Sequence, residues 1–245
     1  MRLDQLLVEK RLFASRSRAR DAIVRGTVQI DGAVVTKPGA TIAETAIISV
    51  DDPASAYVSR AALKLITGLD HFAIDVKGQA ALDIGASTGG FSQVLLERGA
   101  ELVIAVDVGH SQLHESLRAD ERVINLEALN ARELTREHLK GHKIDLVVSD
   151  VSFISLKLAL PPALALADPG SHCVLLVKPQ FEAGRQAIGK GGILRDAKDG
   201  ERVANDLRNW LDGLPGWEAL GLCPSPIEGG DGNREFLLAG LKSKA

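Results

Sequence analysis

Apolar positions along this 245-residue chain fall into two regimes, a short amphipathic stretch and then a long series of buried runs. Leu3, Leu6 and Leu7 share one stripe at helical spacing, which predicts a first helix ending near Lys10-Arg11. Ser15 reads as the N-cap of a second helix in which Ala19, Ala22 and Ile23 face inward and Gly26 closes the end. Val28-Gln29-Ile30 and Ala33-Val34-Val35 then flank Asp31-Gly32, a two-residue hairpin signal, and a third strand is expected near Ile47 to Val50. Asp51 to Ala56 is polar and Pro-broken, so the chain is expected to divide there: a small α+β domain over 1–52, a linker over 53–58, and a second domain over 59–245.

In the second domain Ser59 is expected to cap a helix whose stripe is Ala62, Leu63, Ile66 and Leu69, with Lys64 off it. Continuous apolar runs predict strands at 80–84, 102–106, 122–126, 144–149 and 172–178. Runs without polar alternation mark parallel strands covered on both faces. Val203, Leu207, Trp210, Leu211 and Leu214 predict a late helix, and Ala219 to Cys223 with Glu235 to Leu241 predicts an antiparallel hairpin at the sheet edge. Strands alternating with helices, closed by an antiparallel edge hairpin, argue an α/β, doubly wound Rossmann-like sheet.

The turn after the first of these strands carries the first chemistry. Ala80 to Ile84 runs through Gly85-Ala86-Ser87-Thr88-Gly89-Gly90 into Phe91, Val94 and Leu95 at helical spacing. Such a turn lets a ligand approach the backbone and offers free N–H groups. The glycine spacing is not the dinucleotide fingerprint, and Asp83 at the strand end opposes a phosphate while favouring a cationic amine. Asp107, at the end of the next strand, is placed to take two ribose hydroxyls. An amino acid joined to a nucleoside satisfies both, which points to S-adenosylmethionine.

Net charge of −3 argues against nucleic acid until its distribution is considered. Residues 1–37 hold eight Lys/Arg against four Asp/Glu, so a basic patch stands on an acidic protein. Two cysteines suit a reducing compartment, and no apolar run approaches a membrane span or a signal peptide, so a cytoplasmic protein is expected. His110 and His114 are four apart, but nothing near them completes a metal site. A Pro-Cys nucleophile for cytosine C5 chemistry is missing, as is the Asp/Asn-Pro-Pro-aromatic string of amino-group methylation.

Two further strand ends deliver charge: Asp150 after Ile144 to Ser149, and Lys178 after Val174 to Val177. A lysine after an apolar run is costly without a partner, and Asp150 is the obvious one. With Lys64 and Glu235 they form a set alternating in charge, suited to taking a proton from a ribose 2′-hydroxyl, provided burial makes the lysine a base.

The first fifty residues, with an Arg-rich helix, a Gly-Thr-Val-Gln-Ile-Asp-Gly hairpin and Lys37-Pro38-Gly39, resemble the S-four RNA-binding domain. Tyr57-Val58-Ser59-Arg60, Gly85 to Phe91, Asn130-Ala131-Arg132, Asp150-Val151-Ser152-Phe153-Ile154-Ser155 and Val177-Lys178-Pro179-Gln180-Phe181-Glu182 match the TlyA group of ribosomal-RNA 2′-O-methyltransferases, whose catalytic domain is FtsJ-like. Gly189-Lys190-Gly191-Gly192 and Gly232-Asn233-Arg234-Glu235-Phe236 continue the match. Gly109-His110-Ser111 departs from that group's Gly-Tyr-Gly.

The resemblance implies a catalytic tetrad of Lys64, Asp150, Lys178 and Glu235, with no metal. It implies cofactor contacts from Asp83, Gly85, Ala86, Ser87, Thr88, Gly89, Gly90, Phe91, Asp107 and Asn130. RNA contacts are expected from Arg16, Arg18, Arg20, Arg25, Lys37, Arg60 and Lys190, with ribosomal RNA or a ribosomal subunit as partner, the large subunit favoured by resemblance to the group's shorter members. An RNA-binding assembly factor that keeps the fold without turnover is the alternative; a membrane-lytic toxin finds no amphipathic basic helix to support it.

Overall fold

Leu3, Leu7, Phe13, Ala19, Ala22, Ile23, Val28 and Ile30 close a small core at the start of the chain, described here from a computed structural model that covers residues 1–243. This first unit, Met1–Ala56, holds helices α1 (Leu3–Glu9) and α2 (Arg16–Val24) and an antiparallel sheet of β1 (Val28–Ile30), β2 (Ala33–Val34) and β3 (Ile48–Val50), in the order β2-β1-β3. Ser15 caps α2 through its Oγ, which accepts from the Arg18 backbone N–H at 3.3 Å. Asp31 and Gly32 both take positive φ, 49° and 82°, the turn that matches the twist of paired strands. Pro53–Ala56, expected to open a linker, is instead a 3₁₀ turn of this unit. The cause is Asp52, which holds Arg25 through both oxygens and also accepts from the Ala54 N–H at 2.9 Å.

The second unit begins at Tyr57. Its seven-stranded sheet runs β6-β5-β4-β7-β8-β10-β9, built from β4 (Ala80–Ile84), β5 (Leu102–Val106), β6 (Val123–Leu126), β7 (Leu146–Ser149), β8 (His172–Val177), β9 (Trp217–Pro224) and β10 (Phe236–Lys242). The first five are parallel, and the β9–β10 hairpin adds antiparallel to β8. Each apolar run feeds two cores in alternation. Ala81, Val103, Ala105, Val148 and Leu176 pack with α3 (Ala62–His71), α4 (Gly90–Glu97) and α5 (Glu115–Arg118). Leu82, Ile104, Val147, Leu175 and Leu238 pack with α6 (Leu156–Ala159), α7 (Pro161–Leu166) and α8 (Ala197–Asp212). Two-sided burial is why these strands read as unbroken hydrophobic runs.

Helix α3 differs from expectation in two ways. It starts at Ala62, because Ser59 spends its hydroxyl on the Ala61 N–H at 3.2 Å, within the preceding turn. Its buried face is Ala62, Lys64, Leu65, Gly68 and Leu69, so Lys64 lies inside the stripe rather than off it.

Candidate active site

Strand β4 delivers the glycine turn to the carboxyl edge of the sheet. Gly85 stands at φ 82°, and a Cβ there would meet Val151 Cγ1 at 3.0 Å and the Val151 backbone at 3.1 Å. Only glycine allows this crossing of the β4 and β7 loops. Asp83 is wholly buried and accepts from Ser92 Oγ at 2.7 Å, while its Oδ1 has no partner among the described residues. Burial pushes its carboxyl up to about 7; the Ser92 hydrogen bond opposes the shift, and the negative charges of Asp150 and Asp107 add to it. The fold therefore loses stability as pH rises from the ordinary carboxylate range through about 7.

Asp107 receives the Ser87 N–H at 2.8 Å and the Gly109 N–H at 2.7 Å, one on each oxygen, so it ties the glycine turn to the loop after β5. Asn130 accepts from the Arg132 N–H at 3.1 Å and thereby caps a 3₁₀ turn at Ala131–Glu133.

The four expected charges form two ion pairs at neighbouring strand ends. Lys178 Nζ lies 2.7 Å from Asp150 Oδ1 and donates to Ser152 Oγ at 2.6 Å. Lys64 Nζ lies 2.5 Å from Glu235 Oε2, with Lys64 5% and Glu235 3% exposed. The antiparallel register pairs Phe236 with Val177, which sets Glu235 across from Lys178. Gly229 lies directly against Glu235 Oε1, where a Cβ would stand 2.7 Å away.

A cleft of about 140 Å³ opens beside these groups. Gly85, Ala86, Ser87, Thr88, Gly90 and Phe91 line one side, Asp150, Ser152 and Lys178 another, with Ser59 and Ala61 completing the wall. The glycine turn and one catalytic-candidate pair thus share one cleft. Asp83, Gly89, Asp107, Asn130, Lys64 and Glu235 are not among the residues that line it.

An FtsJ-like methyltransferase model matches residues 57–242. The chain belongs to the FtsJ-like methyltransferase family. An S4 (S-four) domain matches residues 1–48. The chain is 45% identical over 238 residues to a protein of Mycobacterium tuberculosis named 16S/23S rRNA (cytidine-2'-O)-methyltransferase TlyA, spanning 97% of this chain and 88% of that one. It is 40% identical over 237 residues to a Brachyspira hyodysenteriae protein named Hemolysin A, covering 97% and 98% respectively. A solved structure from Streptococcus thermophilus aligns with a TM-score of 0.77 at 40% identity, over 100% of this chain and 89% of that one. Among the described residues, no helix is long and apolar enough to cross a membrane.

Around the FtsJ-like site several working side chains were not singled out from sequence. Ser152 holds Lys178, Ser92 holds Asp83, and Glu182 accepts from Ser155 Oγ and the Leu156 N–H. Glu127 gathers the N–H groups of Ser111, Gln112 and Leu113, at 2.8, 2.9 and 3.1 Å. The Leu113 and Ser111 bonds foremost hold its carboxyl below the usual range, and they shape the loop where the sequence departs from Gly-Tyr-Gly. Ser152, Glu182 and Glu127 are polar residues within a few positions of a strand end, which was the available signal for them, whereas Ser92 lies inside helix α4 and carried none.

In the S4 unit the basic residues divide. Arg20 and Lys37 are exposed. Arg16 is half exposed and shares wholly buried Asp4 with Arg2, whose hydrogen bond foremost lowers the Asp4 carboxyl to about 2. Arg18 donates to the Ala54 carbonyl, and Arg25, only 13% exposed, is held by Asp21 and Asp52. Arg25 is thus committed to the fold. In the methyltransferase unit Lys190 is exposed on a turn and Arg60 is half-buried.

Proposed function

We propose that this FtsJ-like methyltransferase moves a methyl group from S-adenosylmethionine to the ribose 2′-hydroxyl of a cytidine in ribosomal RNA, in the cytoplasm. The observation that carries the reading is Lys178: an amine set between Asp150 and Ser152, in the same cleft as the glycine turn. The relative from Mycobacterium tuberculosis, named for this reaction, adds the substrate class.

The residues present fit the cofactor. The turn Gly85–Phe91 carries no cationic side chain, a Cβ at Gly85 would collide with Val151, and Asp83 keeps an unpartnered oxygen within a buried site. Asp107 spends one lone pair of each oxygen on the backbone and retains a second for a hydroxyl donor. Bound there, S-adenosylmethionine supplies an electrophilic methyl on a sulfonium whose leaving group is a neutral thioether.

The remaining work falls to the chain's own groups. Lys178, once neutral, accepts the proton of the 2′-hydroxyl, while Asp150 and Ser152 fix the amine and Asp150 stabilises the ammonium that forms. The Lys64–Glu235 pair, across the register from Lys178, adds a fixed dipole. Phe153, 90% exposed, lies with its ring 5.1 Å from that of Phe181 and offers an aromatic face to an unstacked base.

Transfer of labelled methyl from the cofactor to isolated ribosomal subunits tests the proposal, with large and small subunits, naked RNA and liposome leakage as separate arms. Incorporation at a cytidine ribose is the expected result. Leakage without incorporation would overturn it.

Three substitutions with modest effects probe the binding groups. Asp107→Ala is expected to raise the cofactor Kd about ten- to a hundredfold, the worth of a charge-assisted hydrogen-bond pair, with RNA affinity unchanged. Calorimetry reporting an unaltered Kd would move the ribose contact away from Asp107. In RNA titrations Arg20→Ala should reduce the log–log salt slope by roughly 0.7–0.9, one phosphate contact. Arg25→Ala should leave that slope alone and lower stability by about 1–3 kcal/mol, because buried Asp52 loses its donor. Equal slopes for Arg20→Ala and the parent would return that arginine to a merely solvated helix face.

A further inference from the structure

Beyond the sheet, the β7 and β8 loops run side by side with no ladder to join them. The last paired residues are Ser149 and Leu175, and Asp150 still donates its N–H to the Ile84 carbonyl at 3.1 Å. From Val151 to Ile154 no backbone hydrogen bond is made among the described residues. What holds the segment is a series of side-chain rungs. Lys178 takes Asp150 and Ser152, Phe181 takes Phe153, and Glu182 takes Ser155 and Leu156.

The last rung is the firmest outside the lysine. Glu182 Oε2 accepts from Ser155 Oγ at 2.6 Å and Oε1 accepts from the Leu156 N–H at 2.7 Å, so both carboxylate oxygens are engaged on one short stretch. Glu182 itself is anchored next to the lysine. It ends a 3₁₀ turn, Pro179–Phe181, in which the Phe181 N–H returns to the Lys178 carbonyl at 2.9 Å and the Glu182 N–H to the Pro179 carbonyl at 3.1 Å.

Between the two anchors sits a strained residue. Phe153 has φ 66° while remaining 90% exposed, a conformation that costs a bulky side chain and is not repaid by burial. A loop without backbone bonds keeps such a residue only when both of its ends are pinned. Lys178 pins one end through Ser152, and Glu182 pins the other.

We infer that Glu182 is a positioning residue for the proposed methyl transfer: it clamps the Asp150–Leu156 loop to the Lys178 turn, presetting Asp150, Ser152 and Phe153 around the amine. It touches neither ligand and acts through the loop. This inference rests on the proposed function for its kinetic part, whereas the clamp itself is a statement about the protein alone.

The test uses the full chain carrying Glu182→Ala or Glu182→Gln. Glu182→Ala should lower the single-turnover methyl-transfer rate by about 10- to 100-fold, the usual effect of a small misplacement of reacting groups, with the cofactor Kd unchanged. Glu182→Gln, whose amide oxygen still accepts from Leu156 and whose amide can still meet Ser155, should recover to within a few-fold of the parent. In hydrogen exchange the Leu156 amide should be protected in the parent and in Glu182→Gln, and exchange faster in Glu182→Ala. A parent rate in Glu182→Ala, a loss confined to cofactor affinity, or Glu182→Gln as slow as Glu182→Ala would each overturn the inference. Unchanged Leu156 exchange would do the same without reference to activity. Should the parent transfer no methyl to any RNA, the proposed function fails, and exchange alone still decides the clamp.

Discussion

Lys178→Ala is expected to bind cofactor and RNA as the parent does and to transfer methyl about 10²–10⁴-fold more slowly, the usual worth of a general base. The structure gives the reason. The amine is held at 2.7 Å from Asp150 and 2.6 Å from Ser152, leaving it oriented into the cleft that the glycine turn lines. Alanine removes the amine proposed as the proton acceptor and leaves the cleft wall otherwise in place. Lys178→Arg should fail comparably, because a guanidinium keeps its proton at any working pH and can only donate. Asp150→Ala should cost as much or more, since it removes both the anchor of the amine and the charge that stabilises the ammonium. Single-turnover rates for Lys178→Arg close to the parent's would sink the assignment. The lysine would then be a fixed positive charge that positions the hydroxyl, with the proton leaving to water.

Glu235→Ala is expected to lower stability by about 3–5 kcal/mol, because it strands the Lys64 ammonium in a site only 5% exposed. For a chain of this size that corresponds to a Tm lower by roughly 6–20 °C. Glu235→Gln, which keeps an acceptor, should fall between the two. The double substitution Lys64→Met with Glu235→Leu should melt near the parent temperature or above it, since apolar residues of similar volume avoid the desolvation cost of both charges. That stable double variant should nevertheless be slow in methyl transfer, which would show the pair is kept for the reaction rather than for the fold. Scanning calorimetry decides the matter. A Glu235→Ala protein that melts with the parent would mean the lysine reaches water, against its observed burial.

Relatives 45% and 40% identical to this chain carry names as different as an RNA methyltransferase and a hemolysin. The cleft favours the former reading, since its lining is an amine, a carboxylate and a glycine turn, none of which is a device for disrupting lipid.

The order of elements in the second unit was legible because each parallel strand is buried on both faces, so Leu102–Val106 and His172–Val177 appear as apolar runs with a charge at the exit. Lys178 and Asp150 were legible for the same reason: a charge that ends such a run must have a partner nearby. The hairpin at Asp31-Gly32 and the cap at Ser15 were legible because local backbone geometry demands those residue types.

Other features depended on partners far along the chain. Lys64 sits in the buried face of α3 because Glu235, 171 residues away, neutralises it there; by helical spacing alone it belongs outside. Arg25 looked like one more arginine of a basic helix, yet Asp52 draws it inward from 27 positions on and folds the expected linker into the first unit. Phe153 takes its positive φ, and Glu182 its place as a clamp, only where two loops without sheet bonds meet. Sequence by itself determined the elements, their order and the charges at the strand ends, because backbone propensity and two-sided burial are local. Which charge meets which, and which arginine remains free for solvent, only the tertiary structure decided, because an ion pair is set by proximity in space and its burial by everything packed around it.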